Sequence, residues 1–116
     1  MIARPATVTW QLRLRPVDSD ELVRMTMTWS RREPFEVWLG FPDADVHWVV
    51  ARELLAAGLA GPAGLGDVAL LRDLADPRLL ELILSSPDGV LGLRLPAAEL
   101  ADFLRATWDQ EASSRS

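Results

Sequence analysis

Residues 7–30 read TVTWQLRLRPVDSDELVRMTMTWS, and two strict alternations run through them. Val8, Trp10, Leu12 and Leu14 share one parity, with Thr7, Thr9, Gln11, Arg13 and Arg15 on the other. A period of two marks a strand with one buried and one wet face. Pro16 closes the first run, and Val17-Asp18-Ser19-Asp20 supplies a polar turn. Val23, Met25, Met27 and Trp29 then alternate with Arg24, Thr26, Thr28 and Ser30. The two runs predict an antiparallel hairpin whose apolar residues share one face.

Working outward, Phe35, Val37, Leu39 and Phe41 alternate with Glu36, Trp38 and Gly40 beyond a charged break at Arg31-Arg32-Glu33-Pro34. This is a third strand, and Pro42-Asp43-Ala44-Asp45 is its turn. Val46 to Val50 is β-branched and aromatic and makes a fourth. The period then changes: Leu54, Leu55 and Leu59 place a short helix over 51–59, stopped at Gly58 or Gly61. Residues 61–66 (GPAGLG) form a loop. Strands follow over 67–71, 79–84 and 90–95, the last two joined by the turn Ser86-Pro87-Asp88-Gly89. Pro96 sits where a helix would open, and Leu100, Phe103, Leu104 and Trp108 form its apolar stripe. The expectation is one α+β domain over 1–108, a mainly antiparallel seven-stranded sheet with a short central and a C-terminal helix. Residues 109–116 are expected to be a polar, frayed tail.

Composition narrows the chemistry. The 116 residues contain no cysteine and one histidine, which removes disulfides, thiol nucleophiles, zinc knuckles and histidine-pair metal sites. Twelve arginines, with no lysine, face seventeen carboxylates, so the chain carries a net charge of −5. That balance disfavours nucleic acid and anionic membranes as partners. No apolar run approaches a membrane span and residues 1–5 hold no signal core, so a cytoplasmic protein without membrane insertion is expected.

Carboxylates pair at Asp18 with Asp20 and at Asp43 with Asp45, but both pairs lie in turns, where Asp bonds backbone amides. An acid–base pair or a weak cation site is the lesser reading. Ser85 and Ser86 precede a turn rather than sit in a nucleophile elbow, and His47, the one available base, lies far off in sequence on a strand. The glycines of 61–66 feed the strand at Asp67 rather than a helix, and without lysine they read as turn formers, with Asp67 bonding loop amides. No catalytic, metal or cofactor-binding residue is assigned, and no enzyme is expected.

Two surfaces stand out. Arg13, Arg15 and Arg24 lie on the polar face of the first hairpin with Arg31 and Arg32 at its end, and Trp38 faces outward nearby. Arginines with an aromatic on a sheet can hold single-stranded nucleic acid. The net charge favours a solvated face instead. Protein association accounts for more: Trp38, Leu91, Leu93 and Leu95 oppose the evident core stripes, so apolar residues occupy both strand faces. Trp38, Leu91 and Leu93 are the candidate contacts of a homo-oligomer or partner.

Several segments in register resemble one family. They are Glu33-Pro34-Phe35-Glu36-Val37 with Phe41, Trp48-Val49-Val50-Ala51-Arg52-Glu53-Leu54-Leu55 with Gly58, and Pro62, Gly64, Gly66, Asp67 and Val68. Leu84-Ser85-Ser86-Pro87-Asp88-Gly89 and Phe103-Leu104-Arg105-Ala106-Thr107 complete the set, over roughly residues 8–108. Together they resemble the SsgA-like proteins, an actinobacterial family tied to sporulation and cell division. The resemblance implies a fold similar to the whirly-type single-stranded nucleic-acid-binding proteins, assembled as a trimer. It also implies a non-enzymatic adaptor that helps choose septum sites, a family in which one member contacts the tubulin-like division-ring protein.

Overall fold

The computed structural model describes residues 6–113. The hairpin forms as read: β1 (Thr7–Pro16) pairs antiparallel with β2 (Val23–Ser30), from Thr7 opposite Ser30 to Leu14 opposite Val23. Next come β3 (Glu33–Phe41), β4 (Val46–Ala51), α1 (Arg52–Ala60) and β5 (Ala63–Leu65). The remaining described elements are β6 (Val68–Arg72), β7 (Leu79–Ser86), β8 (Gly89–Pro96) and α2 (Ala97–Ser113). The strand order is β4-β3-β2-β1-β8-β7-β6-β5, antiparallel throughout. Among the described residues the sheet therefore has eight strands, not seven. The extra one is the three-residue β5 inside the glycine loop, too short to show a period.

Two four-stranded halves meet at a narrow seam, where β1 and β8 pair only through Arg15 opposite Arg94 and Pro16 opposite Leu93. Val17 extends the seam by donating its amide to the Gly92 carbonyl at 2.9 Å. Gly92 leaves room for this crossing, since a Cβ there would lie 3.1 Å from Val17 Cγ2. The sheet curls about the seam, and both halves turn their apolar stripes to one core. Met25, Met27, Trp29, Val37, Leu39, Leu70, Leu80, Leu82, Leu93 and Leu95 all meet there, and each is almost fully removed from water. Burying such side chains contributes roughly 1.5–3 kcal/mol each relative to exposure. Trp29 also satisfies its indole, which donates to the Pro34 carbonyl at 2.9 Å.

The helices fill the inner face. Nine-residue α1 is marginal alone and is held by packing. Gly58 does not end it: the helix runs to Ala60, and Gly61, at φ 178°, is extended rather than left-handed. Gly58 instead permits close contact with β6, because a Cβ there would stand 2.8 Å from Leu70 Cβ. Of the other loop glycines, Gly66 takes a positive φ of 61°, and Asp67 serves the loop through its carbonyl, which accepts from the Ser85 amide at 2.9 Å.

The tail is corrected too. Residues 109–113 are helical, continuing α2 to Ser113; residues 114–116 lie outside the described residues. The cause is tertiary. Arg52, the first residue of α1, is buried at 6% exposure, and its guanidinium lies 5.6 Å from the Trp29 ring centre and 5.2 Å from that of Trp108. It donates to Glu111 at 2.7 Å and to the Thr107 hydroxyl at 3.4 Å, so the last turns of α2 are clamped onto the core. Removing one partner of a buried charge pair costs about 3 kcal/mol or more. Arg52→Ala is expected to lose at least ~2 kcal/mol of unfolding free energy in urea titration, with helix content falling as the end of α2 melts. Arg52→Lys should recover less than half of that loss, since an ammonium cannot reproduce the guanidinium fork that reaches Thr107 and Glu111 together.

Candidate interaction surface

With the helices inside the curl, the outer face of each half-sheet holds the residues left for recognition. On the first half, Trp38 stands opposite Thr28 on one side and Val49 on the other. Its ring stacks on His47 with centres 4.7 Å apart and planes 23° apart. Trp38 is 42% exposed and Val49 45%, so an indole, an imidazole and a valine form one uncovered apolar step. His47 thus packs as half of an aromatic pair. Phe35, on the same strand, is exposed at 73% although its parity predicts burial. The β2–β3 register shifts between Thr28 and Ser30, leaving Glu33 rather than Glu36 opposite Ser30 and releasing Pro34, Phe35 and Glu36 from the regular ladder.

The other two contact candidates fare differently. Leu93 is fully buried in the chain's own core and has no surface to offer a partner, and Leu95 is buried with it. Leu91 is partly buried and packs on that core. Their stripe is inward because the curled second half faces the same core as the first; the outward residues of β8 are Val90, Gly92 and Arg94. Trp38 remains, with Val49 as the neighbour that sequence reading missed.

The five arginines do not form one face. Arg31 turns away toward the end of α2, donating to the Gln110 carbonyl at 3.1 Å, and its Nε is buried without a partner. Arg32 is exposed in the turn beyond the same end of β2, an end roughly 20 Å along the strand from Arg24. Arg24 is held in a two-pronged pair by Asp43, at 3.0 Å through Nε and 2.5 Å through Nη2. Arg13 lies directly opposite Arg24 and Arg15 directly opposite Arg94. Arg94 was not singled out from the sequence, where nothing links it to Arg15. Its Nε faces Asp73 at 3.6 Å, and Asp73 is buried, accepting the amides of Ala75 at 2.8 Å and Asp76 at 3.0 Å.

The carboxylate pairs behave as turn and surface residues. Asp45 takes a left-handed φ of 53° in its turn, while Asp43 binds Arg24 rather than backbone amides. Asp18 and Asp20 are exposed in a loop where the Ser19 hydroxyl accepts the Glu21 amide at 3.1 Å. Among the described residues, no three His, Asp or Glu side chains converge to hold a cation.

The hydrogen bond from Arg24 holds the Asp43 carboxyl below its ordinary range. A carboxylate favoured by folding adds stability above its unfolded pKa and loses it as pH falls through the folded one. The exposed pair is screened, so the effect is small. Between about pH 5 and pH 2 the urea midpoint of the native chain should fall more than that of Asp43→Asn, and high salt should shrink the gap. Equal slopes would mean the pair does not persist in solution.

Comparison with known proteins supplies context for these surfaces. Residues 23–113 match the family described as Streptomyces sporulation and cell division protein, SsgA. The sporulation-specific cell division protein SsgB of Saccharopolyspora erythraea is 40% identical over 90 residues, spanning 75% of this chain and 64% of that protein. SsgB of Salinispora tropica is 37% identical over 98% of this chain and 86% of its own length. Two solved structures superpose closely. One comes from work correlating mutations in SsgB with longitudinal cell division during sporulation of Streptomyces coelicolor. It gives a TM-score of 0.82 at 34% identity, covering 92% of this chain and 88% of that one. The other, an SsgA-like sporulation-specific cell division protein from Thermobifida fusca, gives 0.80 at 26% identity, covering 97% and 91%.

Proposed function

This chain belongs to the SsgA family of sporulation and cell division proteins, and from that premise we propose that it is a non-enzymatic adaptor working at septum sites. Its relatives are named sporulation-specific cell division proteins, and the curled sheet with two helices is the fold of the SsgA-like structures. The observation that carries the reading is the uncovered Trp38–His47–Val49 step on a fold of that family. Exposed aromatics on a rigid sheet serve protein contacts, where tryptophan dominates interface energetics. Among the described residues no helix is long and apolar enough to cross a membrane, so on this reading septal placement comes from partners in the cytoplasm, the tubulin-like division-ring protein among them. Likeness to the whirly-type fold and assembly as a trimer belong to the same proposal. Single-strand binding ranks below it, because Asp43 neutralises Arg24 and Arg31 is turned onto α2.

A fluorescent fusion imaged through division should mark septa. Diffuse signal, in a host that septates normally without the gene, would overturn the adaptor reading. Light scattering during gel filtration should give about three times the 12.8 kDa chain mass, shifting toward one chain in Trp38→Ala. A single-chain mass at tens of micromolar removes the trimer; a trimer indifferent to Trp38→Ala removes only that anchor.

A further inference from the structure

The seam of the sheet concentrates positive charge in a chain that is acidic overall. Arg24, Arg13, Arg15 and Arg94 stand side by side on the outer surface of β2, β1 and β8, two like-charged pairs placed directly across their ladders. Such pairs are destabilising. Asp43 and Asp73 offset the outer two arginines, whereas Arg13 and Arg15 have no acidic partner among the described residues. Two depressions flank Arg13 and share it. One of about 410 Å³ runs past Arg24 to Pro42, and one of about 470 Å³ runs past Arg15 and Arg94 to Leu22, which is 52% exposed.

We propose that this trough docks an extended acidic segment of a partner protein, with carboxylates two residues apart seated on Arg13 and Arg15. Alternate residues of an extended chain lie about 6.6 Å apart, the spacing of two arginines two places apart on β1. Guanidinium forks bind carboxylates through two parallel hydrogen bonds, so two seated carboxylates supply both affinity and register. Pro42 gives the first depression an apolar wall and Leu22 the second. Nucleic acid fits less well. No aromatic lines either depression, and Trp38 and His47 stack on each other two or more strands away from β1. A polyphosphate would also meet the repulsion of a chain with net charge −5, which a peptide bearing two or three carboxylates meets far less.

The inference deepens the adaptor reading and rests on it for the partner's role, not for the site itself. The probe is a fluorescein-labelled, end-capped hexapeptide of alternating Glu and Leu, titrated with the full chain by fluorescence anisotropy at low and physiological salt. Native protein should bind it with a salt-sensitive affinity that falls about tenfold or more in Arg13→Gln/Arg15→Gln. Arg32→Gln, off the trough, should bind as native. Removing two facing repulsions should leave the double variant's thermal midpoint equal or higher, which checks that it folds; should it not fold, Arg15→Gln alone carries the test and must weaken binding severalfold. No binding by native protein at low salt, or affinity unchanged in the variants, overturns the proposal. Displacement of the peptide by a thymidine oligonucleotide that binds more tightly and depends on the same two arginines overturns it in favour of nucleic acid. If the double variant loses the peptide but its fusion still marks septa, the adaptor reading survives and the trough is not what brings it there. If native protein binds the peptide but never reaches septa, the trough stands and the adaptor reading falls.

Discussion

One buried guanidinium organises the inner face of this fold. A charge removed from water is tolerated only when it is paired and hydrogen-bonded on several sides. Arg52 meets that condition through four different groups: the rings of Trp29 and Trp108, the Glu111 carboxylate and the Thr107 hydroxyl. Trp29 belongs to β2, Arg52 opens α1, and the other three lie on α2, so one side chain fixes both helices against the first half-sheet. A second polar tie secures the start of α2, where the Trp10 indole donates to Glu99 at 2.8 Å, and Phe103 packs edge-on to the same indole at 6.2 Å. Between these ties Leu100, Phe103 and Leu104 are buried in the core, with Ala97 and Ala106 packed beside them.

With the helices inside, the seam decides what lies outside. A two-residue ladder between β1 and β8 is narrow enough for the sheet to bend there, so the halves share one core instead of forming two layers. Each strand then has one face committed to that core and one facing water. The outer aromatics and arginines are therefore free of packing duty, and it is on that face that local rules of sheet stability are broken.

The strands were largely legible because period-two alternation survives wherever one face is buried. The hairpin follows from it, while the turn at Ser86 to Gly89 follows from its Pro and Gly and the inward stripe of α2 from helical spacing. Three features were not legible, each for a physical reason. Alternation tells which residues share a face but not which face meets the core, so Leu93 was assigned outward although the bend at the seam brings it in. Strand β5 spans three residues, less than two full periods. Residues 109–113 carry no apolar period and are helical because Arg52, more than fifty positions earlier, reaches Glu111. Of the candidate surfaces, Trp38 kept its outward place, while the arginine set divided. Arg13, Arg15 and Arg24 stayed together and gained Arg94, and Arg31 and Arg32 lie at the far end of β2.

The placement of the aspartates bears on how the arginine row is to be understood. Of the two like-charged pairs, Arg13 with Arg24 weakens the β1–β2 ladder, and Arg15 with Arg94 weakens the seam, where the half-sheets have only two residues of ladder to spare. Asp43 comes from the β3–β4 turn and Asp73 from the loop after β6, so opposite ends of the chain's fold each send one carboxylate to the row's flanks. Those carboxylates relieve the repulsion without filling the centre. Had the sequence been shaped for ladder stability alone, neutral residues at positions 13 and 15 would have sufficed, of the kind Gln11 supplies one step earlier on the same face. A local rule broken on an outer face, and compensated only at its margins, is where a fold carries function rather than stability.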